Sequence, residues 1–406
     1  MMEDAPFLIV DSDEGVRALA KRLAKASVIA VDTESDSMYH YQEKVCLLQF
    51  TDGEGDVILD PLGCTTLDPL KPIFADPTIV KVFHGADYDI VCLKRDFGLR
   101  IRNLFDTLVA AQFVGLSKLG LADLIGNYFG VPIDKLYQRH DWSQRPLLPE
   151  HLDYARGDTH YLLALREIML RALDRVGRVS HQIEECEALE RKEWPVKAFE
   201  PNGYVRVRGA KDLDETGQRV LRALYVYRDG QARRMDRPSY KVLGDDVMLE
   251  VAVRRPSTTA AVERLFPSKR PLLRRHGDGL AQAVRTGMTD EAPLPSGQEP
   301  EEPEVETGTI RIRGRAADRV VEALKLWRNR LVQHSAMHTP YSVASNSDLK
   351  AIARARPFTI EELAEVPGIR GWQVHDHGHA ILGVLDEVVP EASMVDEGPS
   401  RKRRRR

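Results

Sequence analysis

The sequence predicts an α/β domain with a mixed sheet, followed by two small all-α domains. From Phe7 to about Phe199, strand-like and helix-like segments alternate, which is typical of a sheet with helices packed on it. Beyond Pro201 the segments are helix-like, and short motifs recur in the same order. The length of 406 residues exceeds the size at which one hydrophobic core keeps growing, so two or three domains are expected.

Five apolar runs in the first part of the chain are predicted strands, and they read FLIV, VIAV, VCLLQF, DVILD and IVKVFH. A helix through VRALAKRLA separates the first two runs, and Ser12 and Asp13 are candidate caps for its start. The segment TDGEGD between the third and fourth runs is typical of a hairpin turn. The segments after the fifth run are mostly helical, so helices are expected to pack on the sheet.

The repeat lies in the C-terminal half of the chain. VRVRGA (205–210) recurs as IRIRGR (310–315), ALYVYR recurs as ALKLWR, and VAVRRP recurs as IARARP. Offsets of about 100 residues indicate two copies of one small helical module. The segment Thr289–Gly308 between them contains seven acids and four prolines but no base, which predicts a flexible linker.

These patterns divide the chain into five predicted parts. Residues 1–200 form the α/β domain, 210–288 the first helical domain, 289–308 the linker, 309–390 the second helical domain, and 391–406 a disordered basic tail.

Composition and charge narrow the function only slightly. The net charge is −4, and the final RKRRRR supplies six positive charges, so the preceding residues sum to −10 (−4 − 6). Overall charge therefore gives no argument for nucleic-acid binding. The N-terminal MMEDAPFLIVD is not a signal peptide and no apolar run is long enough for a membrane span, so we expect a cytoplasmic protein. The four cysteines have no metal-binding spacing, and none is a strong candidate nucleophile.

The stretch VIAVDTESD places two acids, Asp32 and Glu34, at the end of a predicted buried strand. Side chains alternate along a strand, so both carboxylates lie on the same face, about 7 Å apart along the strand. A solvated strand end would explain the pair by itself. Further acids occur in HGADYDI, which contains Asp87 and Asp89, and in YARGDTHYLL, where Asp158 follows Tyr154 by one helical turn.

Together these three sites supply hard oxygen ligands from separate elements of one domain. Magnesium and manganese prefer such ligands, and bound cations would relieve the repulsion between the acids. Two divalent ions about 4 Å apart can activate water and stabilise a leaving oxygen in phosphoryl transfer. The pattern therefore predicts the chemistry of a nuclease.

The motifs VDTES, HGADYDI, FDT (105–107), DWSQRPL (141–147) and YARGDTHYLL closely resemble ribonuclease D, a DEDD-type 3′ to 5′ exonuclease with tyrosine in its last motif. The resemblance covers about Phe7 to Val176 and implies an RNase H-like α/β core.

The resemblance also implies roles for five residues. Asp32, Glu34, Asp89 and Asp158 would bind two divalent cations, Mg²⁺ or Mn²⁺, with Asp32 bridging them and Asp89 acting through water. Tyr154 would hydrogen-bond the attacking water; since an unshifted tyrosine has a pKa near 10, positioning is expected rather than general-base action.

Other residues are secondary candidates. Met38 and Tyr39 could wall the pocket for a terminal nucleotide, and Lys135 and Arg145 could hold phosphates. His84 is a further candidate for substrate contact, although a hydrogen-bonded structural histidine explains it equally simply.

Three more residues have structural interpretations. Asp87 is the rival of Asp89 but is expected to cap its helix, and Trp142 is expected to pack in the core. Asp106 could either support the site or cap the following helix.

Each helical module resembles an HRDC domain, on the residues Leu224–Pro256 and Leu324–Pro357. The first copy could bind RNA phosphates through a basic stripe: Arg233, Arg234, Arg237, Arg254, Arg255, Lys269, Arg270, Arg274 and Arg275. A solvated helix surface would explain many of these residues too.

The resemblance implies a metal-dependent 3′ to 5′ exoribonuclease that trims RNA 3′ ends, in particular tRNA precursors, and releases nucleoside 5′-monophosphates. The tethered helical modules would raise the local RNA concentration near the pocket. A related 3′ to 5′ DNA exonuclease and a catalytically inactive RNA-binding scaffold remain as alternatives. The acids do not distinguish RNA from DNA, no membrane partner is expected, and the sequence indicates no oligomeric state.

Overall fold

A six-stranded mixed sheet forms the centre of the N-terminal domain. The computed structural model describes residues 7–194, 199–266, 270–295, 315–335 and 339–393. The strands are β1 (Phe7–Val10), β2 (Val28–Ser35), β3 (Val45–Asp52), β4 (Gly55–Leu59), β5 (Val80–Phe83) and β6 (Leu104–Asp106).

The strand order is β1-β4-β3-β2-β5-β6. Strand β3 is antiparallel to both of its neighbours, β2 and β4, whereas the pairs β1–β4, β2–β5 and β5–β6 are parallel. The five predicted strands all form, and the predicted turn joins β3 to β4. The three-residue strand β6 was not predicted because it is too short to show a period.

Helices cover the sheet and form most of the described C-terminal half of the chain. Their bounds are α1 (Asp13–Leu23), α2 (Lys71–Ala75), α3 (Asp87–Phe97), α4 (Thr107–Val114), α5 (Leu121–Phe129), α6 (Pro149–His160), α7 (Leu162–Arg175), α8 (Val179–Glu190), α9 (Glu215–Met235), α10 (Ser239–Val242), α11 (Asp245–Arg254), α12 (Thr259–Leu265), α13 (Arg270–Thr289), α14 (Arg315–Gln333), α15 (Asn346–Ala355), α16 (Ile360–Ala364) and α17 (Gly371–Ser393).

Helix α1 begins where the sequence predicts. Ser12 is the N-cap, and its hydroxyl accepts a hydrogen bond from the backbone N–H of Gly15 at 3.3 Å. Asp13, the other candidate cap, instead accepts from the backbone N–H of Thr65 at 2.7 Å. Its carboxylate therefore links the helix start to a loop that follows β4.

The alternation of side chains along β2 directs its residues into two cores. Ile29 and Val31 pack into the core that includes α1 and α3, whereas Ala30 packs into the core that includes α4 and α7. Asp32 and Glu34 follow Ala30 at intervals of two and therefore project from the same face of β2 as Ala30. Helices α6 and α7 contact β2.

The C-terminal half contains two helical domains with separate hydrophobic cores. The repeat extends to single contacts: Arg228 of α9 donates to the carbonyl of Leu243 at 3.2 Å, and Arg328 of α14 donates to the carbonyl of Ala344 at 2.8 Å. The predicted fold class, a mixed-sheet α/β core followed by two small all-α domains, is confirmed.

Both helical domains are packed against the α/β domain through specific contacts. In the first, Asp236 accepts from the ring of His40 at 2.7 Å and from the backbone N–H of Tyr41 at 3.1 Å. In the second, the Trp372 indole N–H donates to Glu185 of α8 at 3.0 Å, and its ring lies 5.1 Å from that of Phe113. The modules, which were expected only to be tethered, are therefore docked on the α/β domain.

The predicted linker and tail need a similar correction where they are described. Asp290 forms an ion pair with Arg222 at 2.6 Å, and Leu294 packs on the first helical core, so the linker prediction began too early. Helix α17 continues to Ser393, into the segment predicted as tail. Residues 296–314 and 394–406 lie outside the described residues.

We predict that Trp372→Ala will weaken the docking of the second helical domain. Truncation of a buried tryptophan costs about 3–5 kcal/mol, and this ring is 5% exposed in the core of the α/β domain. Amide hydrogen exchange in α8 should therefore accelerate. The control is Leu326→Ala in the same helical domain, where the side chain is 57% exposed and exchange in α8 should not change. Equal exchange rates in both variants would contradict this role of Trp372.

Candidate active site

Three carboxylates from two elements meet on one side of β2. Asp32 and Glu34 come from the strand and Asp158 from α6, and each offers an oxygen within 4.8 Å of the others. The two strand residues share a face because of the strand period, and a register shift after Glu34 ends the regular pairing with β3. The structure thus brings together three of the four acids that were predicted to bind cations, Asp32, Glu34 and Asp158.

Asp89 approaches β2 from a helix that packs on the other face. It lies in the first turn of α3 and accepts a hydrogen bond from the hydroxyl of Thr33, whose side chain alternates with those of the two strand acids. Asp89 therefore bonds a residue on the opposite face of β2 and does not belong to the group formed by Asp32, Glu34 and Asp158. Its neighbour Asp87 is exposed and forms an ion pair with Lys192, and the N-cap of α3 is Ala86, so Asp87 does not cap the helix as expected.

Burial and mutual repulsion dominate the electrostatics of the site. Burial raises the pKa of Asp32 well above its ordinary value, and the charges of Asp158, Asp89 and Glu34 raise it further. Burial, followed by repulsion from Asp158 and Asp89, raises the pKa of Glu34. The pKa of Asp158 is raised to about 7 by burial and by Asp89. The pKa of Asp89 is raised by burial to about 6, against the lowering effect of the Thr33 hydroxyl.

Tyr154 lies one helical turn before Asp158 on α6. Its ring is 6.0 Å from those of Trp142 and Tyr137, which restricts its orientation. Burial, followed by repulsion from Asp158, raises the pKa of the Tyr154 hydroxyl. The group therefore stays protonated near neutral pH and can position another oxygen by hydrogen bonding. The prediction that Trp142 packs in the core is confirmed, since it is 1% exposed.

Asp106 fulfils both of the roles that the sequence left open. Its carboxylate caps α4 by accepting from the backbone N–H of Leu108 at 2.8 Å. It also accepts from the backbone N–H groups of Gly85 and Ala86, at 2.9 and 2.8 Å. These bonds fix the turn that leads into α3, and so they hold Asp89 in place.

His84 and Arg145 make structural contacts. The His84 ring is 2.9 Å from the hydroxyl of Thr107, and burial lowers the pKa of His84, which fits the structural interpretation. All five N–H donors of Arg145 are engaged, two by Asp60 and three by the backbone carbonyls of Trp142, Gln144 and Cys46. Arg145 therefore has no donor left for phosphate, and its predicted role does not fit this structure.

The remaining secondary candidates lie on exposed loops. Met38 is exposed in the loop after β2, and the hydroxyl of Tyr39 donates to the carbonyl of Arg139 at 2.6 Å. The ammonium of Lys241, from the first helical domain, is 4.2 Å from the centre of the Tyr39 ring. Lys135 is exposed in the loop before α6.

A buried polar network beneath α6 was not predicted. Asp56 of β4 accepts from Thr51 at 2.7 Å, lies 2.7 Å from the His160 ring, and pairs with Arg156 at 3.5 Å. Thr51 in turn bonds the hydroxyl of Thr159 at 2.9 Å. This network fixes α6 on the sheet and thereby positions Asp158. The sequence signal was the polar residues of YARGDTH on the face opposite the apolar ones.

No helix in the described parts of the chain is long and apolar enough to cross a membrane.

The fold and the gathered carboxylates define a 3′–5′ exonuclease domain with appended helical domains. Residues 7–174 match the 3′–5′ exonuclease domain family, and residues 217–284 and 317–385 each match the HRDC domain. Ribonuclease D of Gluconacetobacter diazotrophicus is 27% identical over 385 residues, which cover 93% of both chains. The chain is therefore a homologue of ribonuclease D, with a 3′–5′ exonuclease domain followed by two HRDC domains.

Two further comparisons place the chain within this group. Protein RRP6-like 2 of Arabidopsis thaliana is 32% identical over 303 residues, which are 71% of this chain but 34% of that protein. The chain thus spans about a third to a half of the length of its plant RRP6-like relatives. The crystal structure of Escherichia coli RNase D has a TM-score of 0.70 at 24% identity, covering 94% of this chain and 99% of that one, and supports the fold.

We predict that removing one site carboxylate will stabilise the metal-free protein above neutral pH. Because the folded state raises the pKa of Asp158 to about 7, it binds this proton more tightly than the unfolded chain does. Stability should therefore fall as pH rises from about 4 to about 7. In EDTA, Asp158→Asn should raise the free energy of unfolding at both pH 5 and pH 8, and the increase at pH 8 should be larger by about 1.4 kcal/mol or more.

Thermal and urea unfolding at both pH values measure this difference. The control Asp174→Asn changes an exposed carboxylate of α7 and should behave alike at pH 5 and pH 8. Equal effects of Asp158→Asn at the two pH values would contradict the repulsion.

Proposed function

We propose that the protein is a metal-dependent 3′ to 5′ exoribonuclease that trims RNA 3′ ends and releases nucleoside 5′-monophosphates. The observation that carries this proposal is the meeting of Asp32, Glu34 and Asp158 within 4.8 Å, in a domain of the 3′–5′ exonuclease family. Asp89 adds a fourth negative charge to this group, because it raises the pKa of the other three carboxyls.

The donor set fits divalent cations. Carboxylate oxygens are the ligands that Mg²⁺ and Mn²⁺ prefer, and neighbouring acids add to the raised pKa values of Asp32, Glu34 and Asp158, which a bound cation would offset. Asp32, Glu34 and Asp158 would hold the metal directly, and Asp89 would contribute through water. Two bound cations would supply an activated water and neutralise charge at the phosphate.

The remaining task of the chain is orientation. Tyr154 keeps its proton near neutral pH because its pKa is raised, so its hydroxyl can donate to or accept from a water next to Asp158. The aromatic neighbours Tyr137 and Trp142 restrict the ring and so define the direction of that hydrogen bond. The loop with Met38 and Tyr39 follows the strand acids directly and would border the terminal nucleotide.

The first helical domain adds positive charge beside this loop. Lys241 lies over Tyr39, and the guanidinium of Arg233 is 5.6 Å from the ring centre of Tyr41. Arg254 and Arg255 of the predicted basic stripe pair with Glu250 and Asp214, and Arg233 likewise pairs with Asp229 of its own helix at 3.4 Å. We assign phosphate contacts to Arg233 and Lys241 because these two side chains face the nuclease domain. Basic residues of this kind provide salt-sensitive affinity for RNA.

The proposed substrates are structured RNA 3′ ends, in particular tRNA precursors, in the cytoplasm. Support comes from the ribonuclease D relative that matches over 93% of both chains, and from the E. coli RNase D structure, described as an exoribonuclease involved in structured RNA processing.

We predict that Asp32→Asn and Asp158→Asn will each slow RNA degradation by at least about 100-fold, since each removes a ligand worth several kcal/mol of transition-state stabilisation. Degradation of a 5′-end-labelled RNA, with Mg²⁺, with Mn²⁺ and with EDTA, measures rate, polarity and product size together. Glu150→Gln changes an exposed acid at the start of the same helix and serves as the control, with unchanged rate. Wild-type rates in both aspartate variants would exclude this site.

We further predict that RNA is degraded faster than DNA of the same sequence. Matched end-labelled single strands, incubated with wild-type protein and Mg²⁺, compare the two substrates directly. RNA binding by Asp158→Asn should persist in a gel-shift assay at low salt and weaken as salt increases. Faster loss of the DNA strand would replace the proposed activity with that of a DNA exonuclease.

A further inference from the structure

Gln49 is a buried polar residue without a hydrogen-bond partner. It lies in the middle of β3, where all eight positions are buried, and its side chain is 0% exposed. Neither the amide nitrogen nor the amide oxygen has a partner among the described residues. By comparison, the buried Gln182 of α8 donates to the sulfur of Cys186 at 3.0 Å. A buried amide without partners is costly, so its position requires an explanation.

The register of the sheet places Gln49 next to the candidate metal site. Gln49 is the direct antiparallel partner of Asp32, so the two side chains lie on the same face, with Cβ atoms about 4.5–5.5 Å apart. Thr51, two residues after Gln49 on β3, forms a hydrogen bond with Thr159 of α6. Leu47, two residues before Gln49, packs in the same hydrophobic cluster as Ala155 of α6. Gln49 therefore lies beneath α6 between these two contacts, in the layer that contains Asp32 and Asp158.

The chemistry of the site explains what such an amide can do. A carboxylate that binds a divalent cation must be ionised, and its lone pairs that face the dry interior then need a donor. Asp32 is such a carboxylate in the proposed site, and Gln49 is its cross-strand neighbour. The free N–H groups of Gln49 are buried on the same face of the sheet as this carboxylate.

We infer that Gln49 is a positioning residue of the metal site, whose amide N–H groups hydrogen-bond the Asp32 carboxylate when the site binds a divalent cation. The inference rests on the proposed function, because it assigns a role toward the same cations. Gln49 does not touch the substrate. Its amide orients the Asp32 carboxylate from the side that faces away from the cation, as hydrogen-bond partners of metal-binding carboxylates commonly do.

The test is Mn²⁺ binding to the full chain, measured by isothermal titration calorimetry at pH 7.5 without RNA. Gln49→Met keeps the length and volume of the side chain but removes the donors, and we expect binding to weaken by about 10- to 100-fold. The melting temperature in EDTA should not fall, because the lost amide had no partner. Gln182→Met is the matched control: it removes a buried amide that is bonded, so stability should fall while Mn²⁺ affinity stays unchanged.

The possible outcomes separate the two proposals. Wild-type Mn²⁺ affinity in Gln49→Met, with RNA degradation by the wild type intact, would overturn the role of Gln49 alone. A wild type that neither binds Mn²⁺ nor degrades RNA would overturn the proposed function and this inference with it. If Gln49→Met does not fold, Gln49→Leu provides the same loss of donors in a smaller side chain, with the same expected loss of affinity.

Discussion

The structure depends on one constraint, the repulsion between carboxylates that are gathered, partly buried, on one side of β2. Asp32, Glu34 and Asp158 lie within 4.8 Å of one another, and burial raises the pKa of each. Like charges at this separation in a low-dielectric environment oppose folding unless they are protonated or neutralised by cations. The hydrophobic cores on both faces of the sheet must offset that cost. The concentration of negative charge at the site therefore lowers the free energy of unfolding.

Helix α6 supplies Asp158 and Tyr154 to the site, and buried polar contacts determine where it lies. The pairing of Asp56 with Arg156 and His160, together with the Thr51–Thr159 bond, attaches the helix to β3 and β4. A buried ion pair seldom adds net stability, but it tolerates few alternative arrangements. Its consequence here is a fixed placement of Asp158 and Tyr154 relative to the strand acids, which a metal site needs.

The two HRDC domains are part of the same assembly. Asp236 of the first domain bonds the loop that follows the strand acids, and it has a left-handed backbone with φ of 47°, a conformation that costs energy for a residue with a side chain. Trp372 of the second domain is buried in the core of the exonuclease domain. Docking of the first domain holds Arg233 and Lys241 at defined positions beside the loop that follows the strand acids, which a flexible tether would not do.

The sequence by itself determined the features that depend on local period and spacing. These are the strands, the shared face of Asp32 and Glu34, the spacing of one helical turn between Tyr154 and Asp158, and the repeated helical module. Only the tertiary structure decided which distant groups meet. Arg145 has the charge of a phosphate ligand, but Asp60, 85 positions away, engages it together with three carbonyls. The missing partner of Gln49 likewise depends on everything that packs around it. Spacing along the chain sets the direction of a side chain within its own element, whereas its neighbours depend on the packing of elements far apart in sequence.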